Sequence, residues 1–164
     1  MKLTGFLLFF TLSVSSFAQE GEVTTVILVR HAEKADDGTK DPDLSEQGRA
    51  RADAFASLFG ETEITAIYST DYKRTRNTVS PLATKKGLTI RSYPPLDAAA
   101  IKRMTEEHAG GTIVVCGHSN TIPAIANQLV GMSAFRDFDE SDYGNILVVT
   151  LAKGLGPRVL RLRY

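Results

Sequence analysis

Val26-Ile27-Leu28-Val29, four consecutive apolar residues of which three are β-branched, constrain the fold more than any other stretch of the 164-residue chain. Such a run suits a strand buried on both faces, as in a parallel sheet with helices on either side. In sheets of that kind, ligands bind just beyond the carboxyl ends of the strands. Arg30 and His31 come directly after the run, so a permanent cation and an imidazole stand at the mouth of the crevice. Thr112-Ile-Val-Val-Cys116 repeats the pattern and ends in Gly117-His118-Ser119.

The rest of the chain alternates in the same way. Strands are expected at Val23 to Val29, Ile64 to Ser69, Leu88 to Ser92 (an edge strand) and Thr112 to Cys116, with a closing hairpin of Asn145 to Leu151 and Val159 to Tyr164. Helices are expected from a Ser45 N-cap to Phe59-Gly60, from a Ser69 or Thr70 cap to Lys86-Gly87, from Ala98 to His108, and from Ile122 to Leu129 with Pro123 in its first turn. Residues 132 to 143 read as an acidic loop. Alternating strands and helices of this kind give an α/β three-layer sandwich with a mostly parallel central sheet.

With 43% hydrophobic and 23% charged residues, this length supports one core and hence one domain, expected over residues 19–164. The first 18 residues read differently. Lys2, a short apolar run from Phe6 to Val14, and small residues at Ser16 and Ala18 have the layout of a secretory signal peptide. The apolar run is well short of the ~20 residues of a spanning helix, and no Cys near the cut could carry a lipid. The expected product is therefore periplasmic or secreted, with no membrane anchor after cleavage. Losing Lys2 leaves 18 Lys and Arg against 19 Asp and Glu, a formal charge of −1. Near-neutrality argues against a nucleic-acid partner. Cys116, the single cysteine, forms no internal disulfide and reads as an inert buried thiol.

Three strand ends deliver Arg30-His31, the Lys73, Arg74 and Arg76 cluster, and Gly117-His118. Lysines and arginines at a helix N-terminus oppose the usual dipole preference, so the second cluster points either to an anion or to a solvated basic face. Arginine forks match phosphate oxygens and stay charged at physiological pH. A neutral histidine can attack phosphorus and split one displacement into two steps, while a second, held positive between anions, steadies the equatorial oxygens. Zinc is the competing use of two histidines, but the neighbouring arginines repel a cation and no third local ligand appears.

Val29-Arg-His-Ala-Glu33, Leu44-Ser45 with Gly48, Tyr68-Ser69 with Arg74 and Thr78, and Val115-Cys-Gly-His-Ser119 together resemble the ordered motifs of the histidine phosphatase (phosphoglycerate-mutase-like) superfamily. The resemblance implies a phosphoglycerate-mutase-like fold, His31 as the residue that becomes phosphorylated, and Arg30, Arg74 and His118, with Ser119 beside them, holding the phosphoryl group. It implies no metal and no organic cofactor. The family's acid position aligns best with Asp97, with Glu33 and Asp36 as rivals. The chain departs from the mutase branch in two ways: Asp37 stands near the usual Asn, and only about twenty residues lie between Thr89 and Gly110, too few for the extra helical lobe. A mutase must shield its intermediate from water, so an open site favours hydrolysis. The expected partner is a small phosphorylated substrate, the expected enzyme an exported phosphatase of phosphomonoesters. Two alternatives remain, a phosphohistidine phosphatase and a non-catalytic phosphate- or phosphopeptide-binding module.

Overall fold

The computed structural model describes residues 23–164, so the expected signal peptide lies outside the described residues. In chain order the elements are β1 (Val23–Arg30), α1 (Glu46–Leu58), β2 (Ala66–Ser69), α2 (Lys73–Lys86), β3 (Ile90–Ser92), α3 (Ala98–Glu107), β4 (Thr112–Gly117), α4 (Thr121–Val130), β5 (Asn145–Ala152) and β6 (Arg158–Arg163). The strands form one six-stranded sheet in the order β3-β2-β4-β1-β5-β6. The first four strands pair in parallel, while β5 and β6 run antiparallel at one side. This is the expected α/β sandwich with its hairpin, and β3 is the expected edge strand.

Period-two alternation explains the layers. On β1, Val26 and Leu28 face a cluster with Ile101 and Met104 of α3 and Ile122 and Ile125 of α4. Ile27 and Val29 face the other side, packing with Phe55 of α1 and Val79 and Leu82 of α2. The continuous apolar run is thus a consequence of helices on both faces. Cys116 is buried in the second cluster, where desolvation pushes its thiol pKa up, and it behaves as a core residue.

The start of α2 differs from expectation. Its N-cap position is Tyr72, not Ser69 or Thr70, and Tyr72 supplies no side-chain cap. Ser69 and Thr70 are still committed to the sheet, the carbonyl of Ser69 accepting from the Tyr93 amide and the Thr70 amide donating to the Cys116 carbonyl. The cap comes instead from another loop: Asp41 accepts from the Lys73 amide at 3.1 Å and lies 3.5 Å from the Arg74 guanidinium. An anion does sit at this basic helix start, and it is the protein's own carboxylate.

Candidate active site

Sheet register gathers the site. Arg30 pairs with Gly117 and Ser69 with Cys116, so β1, β2 and β4 end level with one another. The His31 amide donates to the Gly117 carbonyl at 2.9 Å, extending the pairing one residue past the strand. The chain leaves all three strands at one edge, and an open cavity of about 440 Å³ lies there. Arg30, His31, Arg74, His118 and Ser119 all line it, joined by Lys34, Tyr72, Glu140 and Tyr143. A second cavity of about 490 Å³ near Asp43, Ala52 and Pro81 contains no histidine.

The protonation pattern of both imidazoles is set by their partners. His31 is 6% exposed, and its Nδ1 lies 2.8 Å from the Ala32 carbonyl. A carbonyl can only accept, so Nδ1 carries the hydrogen and Nε2 keeps its lone pair. His118 Nε2 lies 3.0 Å from Thr70 Oγ1, which in turn donates to Thr75 Oγ1, and Thr75 donates to backbone carbonyls. That chain of hydroxyls ends on pure acceptors, so Thr70 accepts from His118 and Nε2 is the protonated nitrogen. The two rings stand edge to face with centroids 5.4 Å apart.

Burial lowers the pKa of each histidine to about 4, with the arginines and, for His31, the neighbouring His118 adding to the effect. With burial and the arginines acting on it, His118 is neutral at physiological pH, and an anion beside it would be needed to favour its positive form. The unfolded chain binds protons at these positions below its ordinary value of about 6.5, whereas the folded protein does not until about 4. Stability therefore falls as pH is lowered from about 6.5 toward about 4. Urea midpoints measured across that interval should decline before the carboxylates begin to titrate; a flat profile would contradict the buried neutral pair.

Arg74 lines the cavity beside Tyr72, its guanidinium 4.3 Å from the ring centroid. Arg30 is tied differently from what an unencumbered phosphate ligand would show. Its Nη1 donates to the carbonyls of Asp139 (2.7 Å) and Asp142 (3.0 Å), and its Nη2 to the Glu140 carbonyl (3.0 Å) and carboxylate (2.9 Å). The side chain is 1% exposed and its Nε–H alone lacks a partner. Most of Arg30 holds the loop before β5, leaving one donor uncommitted.

The carboxylates also sort themselves. Asp97 is the N-cap of α3, accepting from the Ala99 amide at 2.9 Å and lying 3.7 Å from Arg103; its neighbours Pro95 and Leu96, not Asp97, line the cavity. Leu96, which lines the cavity, adopts φ 66°, the only positive φ of a non-glycine residue among those described. Glu33 is gripped by Arg51 through three contacts of 2.7 to 2.9 Å. Asp36 is exposed and does not line this cavity. Glu140, in sequence no more than one of several loop acids, is the one carboxylate among the lining residues.

Residues 26–97 match the family model of the histidine phosphatase superfamily, branch 1. That span contains Arg30, His31, Arg74 and Asp97, while His118 lies beyond it. No curated protein matches the chain significantly. Among solved structures, the fold is similar to a mycobacterial glucosyl-3-phosphoglycerate phosphatase (TM-score 0.67, 18% identity, covering 84% of this chain and 97% of that one). It is similar also to the protein histidine phosphatase SixA complexed with tungstate (0.69, 17%, 85% and 96%) and to phosphoglycerate mutase from Bacillus anthracis (0.68, 12%, 87% and 94%).

Proposed function

We propose that this chain, whose residues 26–97 match the histidine phosphatase superfamily model, is an exported histidine-type phosphatase that hydrolyses small phosphomonoesters through a phosphohistidine on His31. The observation that carries the reading is the fixed tautomer of His31: Nδ1 is spent on the Ala32 carbonyl, so a neutral Nε2 lone pair is available inside a cavity lined by cations. A nucleophile with a depressed pKa stays unprotonated at neutral pH and attacks phosphorus without prior loss of a proton. Arg74 and, once it lets go of Glu140, Ser119 supply donors for the phosphoryl oxygens. A phosphoryl dianion close to His118 raises the proton affinity of that ring, so His118 becomes the cation that steadies the transition state. Signal-peptide chemistry at residues 1–18 supports export.

Likeness to a protein histidine phosphatase supports a second reading, in which the substrate is itself a phosphohistidine. One experiment separates the two. The purified chain is assayed against sugar phosphates, glycerol phosphates, nucleotides, 4-nitrophenyl phosphate and a phosphohistidine peptide, and acid-labile phosphoryl label is trapped by rapid quench. Turnover of esters with label on the protein is the expected result. Turnover of the phosphohistidine peptide alone favours the second reading, and neither label nor turnover on any substrate refutes both.

A further inference from the structure

Resting on the phosphatase reading above, we propose that Glu140, on the loop between α4 and β5, is the catalytic acid of the first step and the catalytic base of the second. It is the only carboxylate lining the cavity among the described residues. Its carboxylate reaches Arg30 Nη2 at 2.9 Å and accepts from Ser119 Oγ, so it lies between the residue next to His118 and the strand end carrying His31. Its backbone is held in place as well: the carbonyls of residues 139, 140 and 142 all converge on the buried Arg30 guanidinium. A fixed backbone with an 82% exposed side chain suits a group that must exchange protons with water and still return to one spot.

Of the other three acids, Asp97 caps α3, Glu33 is paired with Arg51, and Asp36 does not line the cavity. The Ser119 hydroxyl and the Arg30 charge hold the Glu140 carboxyl below the usual carboxylate range and keep it ionised. An entering phosphoryl group reverses this, because it competes for the same donors and sets negative charge against the carboxylate. The proton arrives with the monoanion of the ester or from water.

In the first step His31 Nε2 attacks phosphorus while the P–O bond to the leaving group breaks; the bonding pair stays on oxygen, which takes the proton from Glu140. In the second, Glu140, now a carboxylate, removes a proton from water as the water oxygen attacks phosphorus. The N–P bond breaks, its pair returns to Nε2, and inorganic phosphate leaves with Glu140 protonated once more.

Leaving-group acidity provides the test. In Glu140→Gln the first step should lose roughly 10²-fold or more in kcat/KM for an alkyl ester such as glycerol phosphate, whose alkoxide needs the proton. For 4-nitrophenyl phosphate, whose phenolate leaves unaided, the loss in kcat/KM should stay under about tenfold, with a burst of one equivalent of nitrophenol before slow steady turnover. Glu140→Asp should recover part of the alkyl-ester rate. Equal losses on both esters would reduce Glu140 to a structural role and overturn the assignment, as would no loss on either. A leaving-group-selective loss in Asp97→Asn in place of Glu140→Gln would overturn it too, moving the role to Asp97. All of these outcomes leave wild-type labelling of His31 intact; a wild type with neither label nor turnover removes the assignment together with the reading it rests on.

Discussion

His31→Ala should abolish phosphoryl labelling and lower turnover of 4-nitrophenyl phosphate by roughly 10³-fold or more, while affinity for inorganic phosphate or tungstate changes by less than about tenfold. The asymmetry comes from the tautomer. Neutral His31 gives its one hydrogen to the Ala32 carbonyl, so it offers a resting anion a lone pair and no donor. Arg74 and Ser119 still line the cavity in the variant and remain to bind the anion. Binding energy common to ground and transition states survives, and only the bond-forming atom is lost. Titration calorimetry with phosphate, run beside stopped-assay kinetics, checks both halves. A wild type that binds phosphate, neither labels nor turns over, and is matched by His31→Ala in affinity describes a binding module. A variant within tenfold of wild-type turnover excludes a covalent route through this residue.

Much of that site is legible in the sequence, for a reason specific to parallel sheets. The runs Val26–Val29 and Thr112–Cys116 are apolar on both faces because helices cover both, and the residues immediately after such strands gather at one edge. Arg30, His31 and His118 group together on that ground alone. Contacts between distant segments are not legible. Asp41 caps α2 from a loop 32 residues earlier, and Arg51 reaches back 18 residues to Glu33. Glu140 meets a guanidinium 110 residues away. In sequence it is one acid among Asp137, Asp139 and Asp142, and nothing local marks which of them faces the strand end. The same blindness makes Arg30 look like an unencumbered phosphate ligand, when most of its donors fasten the loop that brings Glu140 in.

Gly48→Ala carries the other large effect, and intrinsic propensity gives it the wrong sign. Alanine is worth about 1 kcal/mol more than glycine within a helix, so the first turn of α1 ought to gain. A Cβ at Gly48, however, would lie 2.1 Å from the Glu33 carbonyl oxygen, a backbone atom that cannot swing aside as a side-chain tip can. That carbonyl is already fixed by the Ser45 amide at 2.9 Å, within a segment where the Ala35 amide also donates to Asp43. Overpacking against backbone costs roughly 3 kcal/mol, which exceeds the propensity gain and leaves a net loss of about 2 kcal/mol. Urea unfolding should show that loss, with Gly156→Ala, which meets nothing within 4 Å, staying within about 0.5 kcal/mol of wild type. The catalytic consequence is larger than the thermodynamic one. Glu33 is two residues from His31, so relief of the clash shifts the strand end that aims Nε2, and a displacement of order 1 Å lowers turnover by about 10²-fold. A variant with unchanged stability and unchanged turnover would mean that α1 does not press on the His31 segment and that Gly48 is spacing alone.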